Sequence, residues 1–472
     1  MAAAGIAFLT AVELGDLLRR RQASSEEIVT ELLGRIDRLN AELGAFITVC
    51  GQAAIDSARR ADRALARGKP RSPLHGVPFA VKDALWTEGV RTTNGSRLFA
   101  DFVPREDATA VARLRAAGGV LLGKLNMTEL AFGGTLAPPF GMPRNPWDPS
   151  RTTGGSSSGS ASALAAGLCP ITLGGDTGGS IRLPASFCGV VGLKPTWGRV
   201  SRHGLMPLAE PFDCAGPLGR TAQDVALALQ VIAGRDAKDA TSSDRPVPDY
   251  ARAARRGARG MRVGVIRELM ESDLLDSRVA RLVVEALDMF KRSGAAIEEV
   301  SIPLIRFSSE IYVATAEPEV AARYRRDLVK RAGDIDVLPR RRLLSASLVP
   351  AALRARILPL REALQGQVDG ALRSVDVLAA PTAPTAATPI AEPPSLTSKE
   401  EAWLGAVAGR SLFTNPFNVT AHPALSVPCG FTAEGLPVGL QLVARPFRED
   451  ETLRIAAAYQ AATDWHRRHP EI

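Results

Sequence analysis

From His75 onward short apolar runs, GVPFAVKD, GGVLLGKL, CPITLGGD and VVGLK, alternate with stretches of helical spacing such as ATAVARLRAAG. The runs are apolar on successive residues and do not alternate with polar ones, so each strand must be covered on both sides. Strands of that kind, separated by helices and punctuated by Gly and Pro, build a sheet between two helical layers. The expected fold class is therefore α/β/α: a mixed, largely parallel central sheet with helices on both faces.

The same reading extends in both directions. SSEEIVTELLGRIDRLN opens with a capping-box pattern, Ser24 or Ser25 followed by acids, and continues with apolar residues at helical spacing. Residues 1–70 are thus expected to be helical. A second series of strand, helix and strand runs through MRVGVIREL, VARLVVEALDMFKRSG and AAIEEVSIP. Residues 305–370 are helical and rich in Arg, a candidate cap. Residues 371–472 bring a buried strand with a Pro/Thr-rich loop (VDVLAAPTAPTAATPI), then LSVPCGF, PVGLQLVARP and a closing helix, ETLRIAAAYQAAT. No repeat and no hinge between two complete cores is visible, so 1–472 is expected to form a single domain around a core of residues 74–235.

Composition excludes several classes. The net charge of +8, from 58 basic and 50 acidic residues, is thinly spread. No basic run is interleaved with aromatics, so no nucleic-acid partner is expected. The five cysteines (Cys50, Cys169, Cys188, Cys214, Cys429) lack CxxC spacing and sit mostly in apolar contexts, as reduced thiols of a cytoplasmic protein do. The five histidines are isolated, so neither a metal site nor a cofactor is expected. MAAAGIAFLTAVELGDLL has no basic n-region, which argues against a signal peptide. The uncharged span Thr152–Gly175 is long enough to cross a bilayer, but its first half is mostly Ser, Gly and Ala and Pro170 interrupts it. No membrane association is expected.

GGSSSGSASALAAG, residues 154–167, is Gly, Ala or Ser at every position except Leu164. Composition alone fits a flexible linker. Gly155–Gly159 also matches the G-x-S-x-G nucleophile elbow, with Ser157 as nucleophile, but the elbow needs a preceding buried strand and PRNPWDPSRTT reads as loop. Gly118–Lys124 resembles a phosphate-binding loop, yet Leu125 stands where a hydroxyl must hold magnesium. More informative is a second small-residue loop, GGDTGGSIR, which places Ser180 just beyond the apolar run PITLGG. Gly178 and Gly179 let successive N–H groups point one way, as a developing oxyanion requires. Lys82 follows the apolar run PFAV, where burial would depress its pKa to about 7–8 and make it a base. Pairing with the adjacent Asp83 is the structural alternative for that lysine.

Together GVPFAVKD, GGSSSGSASALAAG and GDTGGSIRLPASFCGVVGLKPTWGRVS resemble the amidase signature family, over about residues 10–465 and most densely over about 74–235. The resemblance implies a Ser–cis-Ser–Lys triad of Ser180, Ser156 and Lys82, and makes the serine stretch a catalytic loop entering a helix that Gly167 stops. It implies an oxyanion site on the backbone of Thr177, Gly178, Gly179 and Ser180, with Ala131 and Phe132 beside the substrate carbonyl. Gly155, Ser157, Asp176 and Arg182 are expected to support the loops. Ser158 and Leu125 depart from the family's usual Gly and Thr, which bears on packing and substrate. The implied activity is an amidohydrolase acting through an acyl-enzyme on a small-molecule amide, possible as a homodimer. The alternative is the glutamine-hydrolysing subunit of a tRNA-dependent amidotransferase. KPTWGRVSRHGL and DAKDATSS are similar to that subunit, but its Tyr-rich segment is not matched: residues 305–370 hold only Tyr312 and Tyr324. On that ground the free-standing hydrolase is the preferred reading of the sequence.

Overall fold

The computed structural model of the protein describes residues 5–134, 137–390 and 410–472. The first four residues of the stretch read for a leader lie outside the described residues. Helices α1 (Ala11–Arg19), α2 (Ser25–Leu43) and α3 (Gly51–Ala66) open the chain. Ser24 caps α2 through a complete capping box with Glu27, as its sequence leads one to expect.

The strands are β1 (Phe46–Val49), β2 (Pro78–Lys82), β3 (Val120–Leu125), β4 (Arg144–Asn145), β5 (Asp148–Thr152), β6 (Ile171–Asp176), β7 (Val191–Lys194), β8 (Cys214–Gly219), β9 (Arg262–Ile266), β10 (Ala296–Val300), β11 (Val377–Pro381), β12 (Ala424–Phe431) and β13 (Pro437–Ala444). All but β4 and β5 join one sheet, ordered β1-β3-β2-β6-β8-β7-β12-β13-β11-β9-β10. The sheet is mixed. Parallel pairing groups β2 with β3 and β6, and β9 with β10 and β11. The strands between these groups run antiparallel. One cause is local: β12 and β13 are joined by a tight turn whose Gly435 has φ 77°, so the second strand must return beside the first.

Side chains divide between the two faces with the period of two that a strand imposes. In β11, Val377 and Ala379 join one core with the helices Ser277–Arg292 and Glu449–Ala462. Leu378 and Ala380 join the other, with the helices Ser308–Lys330, Val337–Ala346 and Ala351–Ala371. Both faces are covered, which is why the central strands are apolar on successive residues, whereas the edge strand β10 carries Glu298 and Glu299. β4 and β5 form a separate hairpin where the sequence reads as loop. Its cause is a polar turn: Asn145 Oδ1 accepts the Trp147 N–H at 3.1 Å, and its amide donates to the Thr152 and Phe187 carbonyls. Among the described residues, no helix is long and apolar enough to cross a membrane.

Candidate active site

Three of the expected residues meet at one end of the sheet. β2 ends on Lys82, and its parallel neighbour β6 ends on Asp176, in register Val81 to Leu173. The carboxyl ends of adjacent parallel strands are where α/β sheets hold ligands. Helix α4 (Thr109–Ala116) makes the crossover from β2 to β3. The serine loop then enters helix α5 (Ser158–Ala165), which Gly167 stops with φ 71° and a Leu168 N–H to Ala163 carbonyl bond of 2.8 Å.

Lys82 is buried, and its Nζ lies 2.6 Å from Ser156 Oγ and 3.3 Å from the Gly175 carbonyl. The Gly155–Ser156 peptide is cis, and a Cβ on residue 155 would stand 2.9 Å from Thr128 Cγ2. Burial is the largest influence on Lys82 and brings its pKa down to about 7, against smaller upward pulls from Asp176 and Asp213. The neighbouring acid does not neutralise it. Asp83 instead forms an ion pair with buried Lys124 at 3.2 Å and accepts the Thr93 N–H and hydroxyl. Lys124, read as the end of a phosphate-loop look-alike, lies on β3 and serves this pair. The structural alternative for Lys82 is thereby removed.

Ser157 is wholly buried and its Oγ donates to the Gly175 carbonyl at 3.2 Å, so it is not presented as a nucleophile. Its N–H reaches the Ser180 carbonyl at 3.1 Å and ties the two serine loops together. Ser180 itself is only half-buried. The turn before it needs its glycines: Gly179 has φ 124°, and a Cβ there would overlap Thr414, 2.1 Å from its Oγ1. A Cβ on Gly178 would press on the Tyr312 ring from 3.0 Å.

One expectation needs correction. The Gly179 N–H points at Asp176 Oδ1, 2.8 Å away, and is not free for an oxyanion. A buried carboxylate beside the turn needs donors and takes this one. Among the described residues no acceptor faces the N–H of Thr177, Gly178 or Ser180. These three expected donors have no other partner there.

Asp176 also accepts the Ile181 N–H, the Asn418 amide and two Arg182 nitrogens. Burial alone would raise its pKa, but the Arg182 guanidinium and these donors hold it well below the usual carboxylate range. Arg182, at the start of α6 (Arg182–Cys188), donates further to the Thr414 carbonyl, Gln441 Oε1 and Asn418 Oδ1. Sequence reading missed Thr414, Asn418 and Gln441, since nothing local marks them. Arg182→Ala leaves a buried, unpaired carboxylate and is expected to lower stability by about 3–5 kcal/mol. Thermal unfolding checks this: a melting temperature within a degree of the wild type would contradict the pairing.

Leu130 and Ala131 both adopt left-handed φ, 53° and 55°. Two successive non-glycine residues there are costly and occur where the surroundings enforce them. Here the Ala131 N–H bonds the Thr128 carbonyl, while the Thr128 N–H reaches the Ser156 carbonyl at 3.3 Å. The Ala131–Phe132 turn is thus tied to the serine loop that carries Ser156. Phe132 is buried beneath the Arg342 guanidinium, 4.4 Å from ring centroid to Cζ.

A buried lysine bonded to a serine, with a half-buried second serine beside N–H groups that have no acceptor among the described residues, is an arrangement suited to acyl transfer. The chain belongs to the amidase signature family: the family model Amidase matches residues 27–453. It is 42% identical to a glutamyl-tRNA(Gln) amidotransferase subunit of Moorella thermoacetica, over 98% of this chain and 99% of that one. A solved chain from a vestigial protein complex connected with an s-triazine catabolic enzyme superposes with a TM-score of 0.89 at 32% identity, covering 96% of this chain and 98% of that one. The peptide amidase of Stenotrophomonas maltophilia superposes with a TM-score of 0.85 at 31% identity, covering 98% of each.

Proposed function

We propose that the chain cleaves a carboxylic amide by acyl transfer to Ser180. Ser156 takes the Ser180 proton as the Oγ–carbonyl bond forms, and passes its own proton to neutral Lys82. Collapse of the tetrahedral intermediate returns a proton through the same relay to the leaving nitrogen. Water then hydrolyses the ester. The N–H groups of Thr177, Gly178 and Ser180 would hold the oxyanion. The observation that carries this reading is the buried Lys82 Nζ, 2.6 Å from Ser156 Oγ and with a pKa of about 7.

For the amide itself, relatives named as subunits of glutamyl-tRNA(Gln) amidotransferase, matching nearly the whole chain, support glutamine hydrolysis better than the free-standing hydrolase preferred on sequence. That reading brings a partner protein that uses the ammonia and, through it, a charged tRNA. A small-molecule substrate as sole partner is then too narrow. The second reading, a free-standing hydrolase, keeps one specific observation. The helix Ser308–Lys330 presses Tyr312 against Gly178, but the region 305–370 holds only Tyr312 and Tyr324. Ammonia or amine release from glutamine, aliphatic amides and aryl amides distinguishes the two. Glutamine preferred by ten-fold or more supports the amidotransferase role, and an aryl or aliphatic preference supports the hydrolase. No release from any amide contradicts both.

Activity is expected to survive EDTA and dithiothreitol. Among the described residues no group of three His, Cys, Asp or Glu is placed to hold a metal, and four of the five free cysteines are buried. Loss of turnover on chelation, restored by zinc, would contradict the serine mechanism.

A further inference from the structure

Asp213 stands one residue before β8, where Cys214 pairs with Asp176 across the ladder. It is 3% exposed. Its Oδ1 accepts the Thr177 hydroxyl at 2.6 Å and the Ala209 N–H at 3.2 Å, and its Oδ2 accepts the Leu208 N–H at 2.9 Å. All three donors are neutral. Asp176 is paired with Arg182 and Asp83 with Lys124, whereas among the described residues Asp213 joins no ion pair. A buried carboxylate without a cation is costly, and folds retain one where its charge has a use.

Two uses are at hand. Thr177 is the first residue after β6 and leads into Gly178 and Ser180, so its tethered hydroxyl sets where the turn begins. Lys82 gains a proton during acyl transfer in a place shut off from water, and there a nearby negative charge lowers the cost of that step. Lys82 Nζ lies 3.3 Å from the Gly175 carbonyl on β6, and β8, which starts right after Asp213, pairs with that end of β6, Gly175 with Ala215 and Asp176 with Cys214. Asp176 and Asp213 are the two acids that pull Lys82 upward. The first is already offset by Arg182.

We infer that Asp213 is a positioning residue of the active site, which anchors Thr177 at the head of the glycine turn and supplies the counter-charge for protonated Lys82. This rests on the Ser180–Ser156–Lys82 relay. Burial pushes the Asp213 carboxyl up to about 6, against its three hydrogen bonds and the more distant Arg202. The other titratable groups around it, Cys214, Tyr312 and Tyr324, are all held neutral by burial. Asp213 is therefore ionised across the neutral and alkaline range in which Lys82 acts as a base.

Asp213→Asn keeps the shape and one acceptor oxygen while removing the charge. Its kcat/KM limb is expected to move to lower pH by about one unit. Its kcat is expected to fall roughly ten-fold, with Ser180 still labelled by a fluorophosphonate. Thr177→Val removes only the hydroxyl: kcat should fall roughly ten-fold with KM nearly unchanged and the limb unmoved, and Thr177→Ser should recover the loss. A merely structural Asp213 would lower activity without moving the limb. A wild-type limb in folded Asp213→Asn overturns the inference, as does wild-type kcat in Thr177→Val. Should Asp213→Asn not fold, the Thr177 pair of variants decides. Absence of Ser180 labelling in the wild type would instead remove the relay reading, and this inference with it.

Discussion

Ser180→Ala is expected to abolish amide hydrolysis, with a loss of roughly 10⁴-fold or more, and to block fluorophosphonate labelling. Ser180 is the half-buried serine beside open N–H groups, while Ser157 is buried with its hydroxyl donating to the Gly175 carbonyl. The two predict opposite outcomes. Labelling that persists in Ser180→Ala and maps to Ser157 would restore the elbow reading. Ser156→Ala and Lys82→Ala should each cost roughly 10²–10⁴-fold, and their combination little more than the worse single, because they serve one proton transfer. Multiplying losses would mean that they act independently.

The second large effect concerns pH. The relay needs neutral Lys82, whose pKa burial lowers to about 7. Below that value the amine is protonated and cannot accept, so kcat/KM should rise through about pH 7 and level on the alkaline side. A histidine base of ordinary pKa would place the limb near about 6.5, and among the described residues none is bonded to either serine; His422, for instance, is engaged with Thr420 and Asp369. Lys82→Arg should be inactive, since a guanidinium stays protonated and its planar fork does not fit a slot made for one Nζ. The check is a pH–rate profile on one amide beside this variant. Near-wild-type turnover by Lys82→Arg, or a limb below about pH 6, would exclude Lys82 as the base.

Much of this was legible in the chain because it is local. A lysine closing an apolar run, a serine directly after a glycine pair and a glycine after a small-residue helix are marked by their immediate neighbours: Lys82 ends β2, Ser180 follows Gly178 and Gly179 in the turn after β6, and Gly167 stops α5. What was not legible is non-local. The partners of Arg182 come from Thr414, 232 residues on, and Gln441, 259 residues on. The choice of Lys124 over Lys82 by Asp83 depends on β3 lying beside β2. The orientation of the Gly179 N–H toward Asp176 follows from the turn's dihedrals, which Gly-Gly leaves open. The antiparallel middle of the sheet was equally hidden, since buried runs look alike in either direction.

The most direct test is the identity of the acylated residue. A slowly turned-over amide or ester is mixed with enzyme, quenched in acid and digested, and the peptides are weighed by mass spectrometry. The added acyl mass is expected on Ser180, in the peptide that also carries Asp176 and Thr177, and is expected to vanish in Ser180→Ala. An acyl group on Ser157 or Ser156, or turnover with no acylated serine at all, would contradict the acyl-transfer mechanism proposed for this fold.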